Sequence, residues 1–300
     1  MKDFITRSSK YDPLNNFLFF KVMGEKGDEI QLLAFINAVL GKTGDDQFTS
    51  IEILEDKTLT PNVIGGKTGI LDVRAVLHGK KRVNVEVQLR DQHNMDKRSL
   101  FYLSKEYTKW LKEGEDYTEL PDIIGINIVN FDFPSTEHYH SSFHLREDTE
   151  RDIILTNALE IHYINMVKYR KQRNKNLSDP LCRWLIWFNK NSPPKLIEEV
   201  VKMDNAIQVA AERMLNLTVD VDVITAHDKM LMASCDRTSE INFAHSKGIE
   251  KGIEKGIKKG VKKEKLLIAK NLISEGSSTE FIQKITGLDL NTIEALRRKL

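Results

Sequence analysis

Two neighbouring segments, Gly69 to Leu77 and Arg82 to Leu89, restrict most strongly how this chain can fold. Each alternates apolar and polar residues, and successive side chains of a strand point to opposite faces. In the first, Leu71, Val73, Ala75 and Leu77 form one face, while Asp72 and Arg74 lie on the other. In the second, Val83, Val85, Val87 and Leu89 oppose Asn84, Glu86 and Gln88. The turn His78-Gly79-Lys80-Lys81 joins them, so the pair reads as a hairpin with one unbroken apolar face.

The flanking patterns extend this hairpin into a mixed sheet covered by helices. Upstream, apolar residues from Phe17 to Met23 and from Ile30 to Leu40 recur at helical spacing, and Gly41 stands where a C-terminal cap belongs. Ser50 to Leu54 is a short strand candidate. Downstream, Leu100, Leu103, Tyr107 and Trp110 place a helix over Asn94 to Lys112. Strand candidates follow at Ile123 to Phe133 and at Glu160 to Val167. The order helix, strands, helix, strand is an α/β pattern. From Pro180 onward the pattern is helical.

One internal repeat stands out: Gly248-Ile-Glu-Lys, Gly252-Ile-Glu-Lys, Gly256-Ile-Lys-Lys, Gly260-Val-Lys-Lys. Residues four apart share one face of a helix. The glycines therefore form one stripe, and Ile249, Ile253, Ile257 and Val261 form the next. Each interior glycine costs a helix about 1 kcal/mol, so the segment reads either as a flexible linker or as a helix that meets a second copy along Gly248 to Val261. The oligomerising helix is the favoured expectation. A short amphipathic helix over Glu264 to Ser274 and two further helices, split by the turn Thr286-Gly287-Leu288, resemble a helix-turn-helix.

The formal charge of +1 conceals an asymmetry: residues 246–300 carry +6 and the remainder −5. A basic tail on a mildly acidic body hints at nucleic acid. Two cysteines, Cys182 and Cys235, cannot build a disulfide framework or a cysteine-rich zinc site. The polar start, and the lack of any run near the ~20 apolar residues of a membrane helix, point to a cytoplasmic protein without a membrane partner. His138, His140 and His144 fall in a stretch that reads as a polar loop rather than a metal site.

The chemistry centres on the hairpin. Two strands joined by a tight turn can bring Asp72 and Glu86 to one cation, and a pair of carboxylates with waters and a phosphate is a set that Mg²⁺ accepts. Periodicity alone favours a solvated face on which Asp72 pairs with Arg74 or a neighbour. Ile70-Leu-Asp72, followed fourteen residues later by Glu86-Val-Gln88, resembles the signature of the PD-(D/E)XK nuclease superfamily, and more narrowly the Rpn family of recombination-promoting nucleases, also described as transposases. Asn16-Phe-Leu-Phe-Phe-Lys21-Val-Met-Gly24, Gly66-Lys67-Thr-Gly-Ile-Leu-Asp72-Val-Arg74, Arg98-Ser-Leu-Phe-Tyr102-Leu-Ser-Lys105, Gly114-Glu-Asp-Tyr117 and Ile126-Asn-Ile-Val-Asn-Phe131 are similar to that family in the same order. So is the glycine-repeat tail.

This resemblance implies a restriction-endonuclease-like α/β core over residues 1–170, a mixed sheet flanked by helices. A helical extension over 171–245 and a basic tail over 246–300 would follow. It implies a metal-dependent DNA endonuclease acting in recombination or mobile-element movement, with Asp72, Glu86 and Gln88 catalytic. Asp72, Glu86 and the carbonyl of Val87 would bind Mg²⁺ or another divalent cation. Gln88 stands where many superfamily members have lysine, so positive charge must come from elsewhere; Lys21, Lys67, Arg74, Arg98 and Lys105 are the candidates for contacting DNA. Asn16 departs from the acidic residue usual in the family. That departure keeps an alternative open, a catalytically decayed nuclease fold serving as a DNA-binding or assembly module.

Overall fold

A computed structural model describes residues 11–27, 29–54, 73–77, 81–110, 114 and 116–300. Asp72 and Lys67 lie outside the described residues, as does most of the turn between the hairpin strands. The chain divides into two compact units, residues 1–228 and 229–300.

In the first unit, the five predicted strands and one that the sequence pattern does not predict assemble into one six-stranded sheet. The strands are β1 (Ile51–Ile53), β2 (Val73–Leu77), β3 (Arg82–Gln88), β4 (Ile123–Val129), β5 (His140–Arg146) and β6 (Ile154–Asn165), in the order β1-β2-β3-β4-β6-β5. β1, β2 and β3 pair antiparallel, whereas β3, β4 and β6 run parallel and β5 returns antiparallel to β6. A parallel pair needs a crossover, and helix α3 (Met95–Thr108) supplies it between β3 and β4.

The alternation read from sequence decides which helices cover which face. Val73, Ala75, Leu77, Val83, Val85, Val87, Ile124, Ile126, Ile128 and Ile164 form the interior side, buried in the main core. Helices α1 (Asn16–Met23), α2 (Ile30–Val39), α5 (Pro180–Phe188) and α7 (Asn205–Leu217) contribute to that core, with Phe19, Phe35, Trp184 and Phe188 among its largest buried side chains. Helices α4 (Met166–Lys171) and α6 (Pro194–Met203) complete the unit. The opposite face carries α3, whose Leu103 fits against Gly125 so closely that a Cβ there would lie 2.9 Å from its Cδ1.

Capping fixes where the helices begin. Asn15 accepts from the backbone N–H groups of Phe17 and Leu18 at the start of α1. Asp179 does the same for Leu181, with Pro180 at the first helical position, where its missing N–H costs nothing.

Two expectations are corrected. The stretch read as a polar histidine loop is mostly strand: His140 and His144 lie on β5, pairing in register with Ile164 and Glu160. β6 is also twelve residues long and starts at Ile154. The charged run Glu147 to Asp152 between these strands is a short connection that hides a hairpin from a periodicity search.

The second unit contains most of α8 (Val221–Ser274), followed by α9 (Thr279–Thr286) and α10 (Leu290–Arg297). The repeat is helical throughout, and the amphipathic helix expected over Glu264 to Ser274 continues it without a break. Ile249, Ile253, Ile257 and Val261 are exposed, and a Cβ at Gly248, Gly252, Gly256 or Gly260 would meet nothing within 4 Å. Ala269, Ile282 and Ile293 form a small core at the end of α8. Gly287 makes the turn between α9 and α10 at φ +65°, a conformation that favours glycine.

On the interior side of the sheet, β5 and β6 share a hydrogen-bonded chain. His140 Nε2 lies 2.9 Å from His162 Nδ1, His162 Nε2 lies 2.8 Å from Glu160 Oε1, and His144 Nε2 is 3.3 Å from that same oxygen. Burial, and then the neighbouring His162, push His140 down to about 4, against opposing pulls from Asp179 and Glu160. The hydrogen bond from His162 holds the Glu160 carboxyl below its usual range, with His144 and Lys81 adding to the effect. Unfolding returns His140 to its ordinary value near 6.5, so the unfolded chain binds more protons between those values. Stability is therefore full above pH 6.5 and falls as pH drops towards 4. A urea series from pH 7 to pH 4.5 should show a falling midpoint, and His140→Gln should flatten that fall.

Candidate active site

The site lies on the α3 side of the sheet, where β3 ends. Period-two alternation turns Glu86 and Gln88 to this side, while Val87 between them is buried in the main core. The Val87 side chain therefore points away from Glu86. The Glu86 side chain is 2% exposed.

Burying a carboxylate is expensive unless an opposite charge and hydrogen bonds accompany it. Arg98, in the first turn of α3, provides both: its Nε and Nη2 donate to Glu86 Oε1 at 3.2 and 2.8 Å. The Gln88 amide donates to the same oxygen. The hydrogen bonds that described residues make to Glu86 all fall on Oε1. Tyr102, one turn along α3, lies under the Arg98 guanidinium at 5.4 Å. Arg98 is therefore held from both sides.

Asn127 on β4 stands directly beside Glu86, and Tyr163 on β6 beside Asn127. Asn127 donates to the carbonyl of His162 at 3.2 Å and accepts from Ser99 Oγ at 3.4 Å. Burial raises the Tyr163 hydroxyl above its usual range, and the carboxylates of Asp96 and Glu86 push it further in the same direction. Glu86, Asn127 and Tyr163 thus form a polar row across three parallel strands. Asn127 was not singled out from sequence, although a lone amide within the otherwise apolar Ile123–Val129 is a visible signal.

The other sequence candidates are more dispersed. Lys105 lies exposed two turns along α3 from Arg98. Arg74 is on β2, with Nη1 3.9 Å from Glu106. Lys21 belongs to a separate network on α1: it pairs with Glu25, which also binds Arg213 at 2.7 Å, and Arg213 Nε donates to the Lys21 carbonyl at 2.9 Å. Asn16 is the first residue of α1, next to the Asn15 cap.

Among the described residues, no group of three or more His, Cys, Asp or Glu side chains is placed to hold a metal. Asp72, the residue before β2, lies outside them. Glu86 itself offers hard carboxylate oxygens, the kind that Mg²⁺ and Mn²⁺ take, while the described side chains that reach it, Arg98 and Gln88, do so through N–H groups.

The buried pair makes a definite stability prediction. Removing one partner leaves the other charged and buried, at a cost of roughly 3 kcal/mol. Arg98→Ala should lower the urea midpoint accordingly, and Glu86→Gln combined with Arg98→Met should recover most of the loss. Equal midpoints for wild type and Arg98→Ala would show that the pair contributes nothing.

Comparison with known families agrees with this fold. The family described as PD-(D/E)XK nuclease family transposase matches residues 13–244, over three quarters of the chain and the whole of the sheet. No curated protein and no solved structure matches. A mixed sheet with flanking helices and a Glu-x-Gln pair at the end of its central hairpin is consistent with the PD-(D/E)XK fold. The chain belongs to the PD-(D/E)XK nuclease family of transposases.

Proposed function

We propose that this protein is a metal-dependent DNA endonuclease whose active site consists of Asp72, Glu86 and Gln88. The observation that carries the reading is the Glu86 carboxylate, buried at the end of β3 and bracketed by Gln88 and Arg98. Together with family membership, that placement supports DNA as the substrate class and Glu86 as an acid of the site.

A bound Mg²⁺, held by Asp72, Glu86 and the Val87 carbonyl, would lower the pKa of a water and offset charge on the scissile phosphate. The remaining tasks fall to the chain itself. Gln88 adds no charge, but its amide can orient a water beside Glu86. Arg98 neutralises Glu86 when no cation is bound. Asn127 and Ser99 fix the floor of the site. In this reading two copies associate along Gly248 to Val261 and act in the cytoplasm on DNA undergoing recombination or mobile-element movement. Two active sites held together could then cut opposite strands.

A second reading, a decayed nuclease fold that binds DNA without cutting it, draws on Asn16 and on the occupation of Glu86 Oε1 by Arg98. Supercoiled-plasmid nicking separates the two. Wild type should nick in Mg²⁺ and stop in EDTA, and Asp72→Asn and Glu86→Gln should each lower the rate by at least about a hundredfold. DNA bound but left intact by every form, in Mg²⁺ as in EDTA, would favour the second reading.

A further inference from the structure

The segment from Met166 to Asn176 contains five basic residues and no acidic one, within a body of 245 residues that is otherwise negative. It begins at the carboxyl end of β6, where Asn165 lies level with Val129 on β4 and, across it, with Gln88 on β3. At about 4.8 Å per strand, that places the start of α4 roughly 10 Å from the end of the Glu86-Val87-Gln88 motif. Ligands of open α/β sheets bind outside the carboxyl ends of the strands.

The five basic residues divide into two sets. Lys168 is tied down by Asp132 at 3.3 Å and by the carbonyls of Pro134 and Thr136. Lys175 lies 3.6 Å from the Tyr169 ring and donates to the Tyr169 carbonyl. Arg170, Lys171 and Arg173 remain exposed, and among the described residues none of them has a carboxylate within ion-pair distance. Arg170 donates to the Asn130 side chain, and the Asn130 N–H donates to the Gln88 carbonyl at 2.9 Å. The basic strip is thus joined directly to the end of the catalytic strand.

Its mounting is rigid. Asn165, 1% exposed, accepts from the Lys168 N–H and donates to the Phe133 carbonyl, so α4 starts at a fixed angle from β6. Met166 and Tyr169 are buried on the inner side. Three cations on a fixed support, unpaired and beside a phosphodiester-cutting site, match a run of backbone phosphates. Guanidinium groups suit phosphate oxygens in particular.

We propose that Arg170, Lys171 and Arg173 are positioning residues that grip the phosphate backbone of duplex DNA beside the Glu86-Val87-Gln88 site. This rests on the endonuclease reading for its substrate and adds to it the path of the DNA, across the carboxyl ends of β3, β4 and β6.

The test is binding of the full chain to a 30-base-pair duplex in EDTA, measured over a range of salt concentrations. Lys171→Gln with Arg173→Gln touches no described contact and should leave the fold intact; adding Arg170→Gln extends the series. Each lost phosphate contact should lower the slope of log affinity against log salt by about 1. The double variant should therefore bind severalfold more weakly with a slope shallower by about 2, while Lys171→Arg with Arg173→Lys keeps the wild-type slope. Wild-type binding with an unchanged slope in the double variant would overturn this proposal and leave the nuclease reading standing. Wild type that neither binds nor nicks DNA would overturn both.

Discussion

Burial of Glu86 against Arg98 is the interaction on which the arrangement of the site depends. A carboxylate placed inside a sheet is costly unless a matched charge reaches it, and here that charge comes from the crossover helix. The same contact sets the position of α3 over the sheet, with Arg98 and Ser99 above Glu86 and Asn127 and with Leu103 against Gly125. One ion pair thus orients the helix that makes the parallel β3–β4 connection.

The carboxyl ends of β3, β4 and β6 bring together features that are remote in sequence. Gln88, Val129 and Asn165 stand side by side there, and the Asn130 N–H donates back to the Gln88 carbonyl. The antiparallel strands lie outside this group, β1 and β2 on one side and β5 on the other. The carboxyl ends of the parallel strands thus gather Gln88 and the basic residues after β6, while the opposite face of the sheet is given over to Phe19, Phe35 and Trp184.

Much of this was legible in the sequence because the signals were local. Alternation in Arg82 to Leu89 put Glu86 and Gln88 on one face, and helical spacing placed Arg98 and Tyr102 together on α3. The Gly287 turn and the strand at Ile123 followed from turn chemistry and apolar runs. Long-range pairing was not legible. β5 has exposed residues on both sides, so its alternation is blurred, and only its register with β6 makes it a strand. From sequence Arg98 is a candidate for contacting DNA, because nothing local shows that it reaches Glu86 twelve residues away. No local pattern marks the basic run after β6, which only the parallel strands set beside Gln88.

The central claim is that Glu86 is a metal-binding carboxylate rather than merely half of a structural ion pair. Calorimetric titration with Mn²⁺ of DNA-free wild type and of Glu86→Gln tests it without depending on turnover. Saturable binding by wild type that is lost in the variant is the predicted result. Identical titrations for the two proteins, whether both bind or neither does, would contradict the claim.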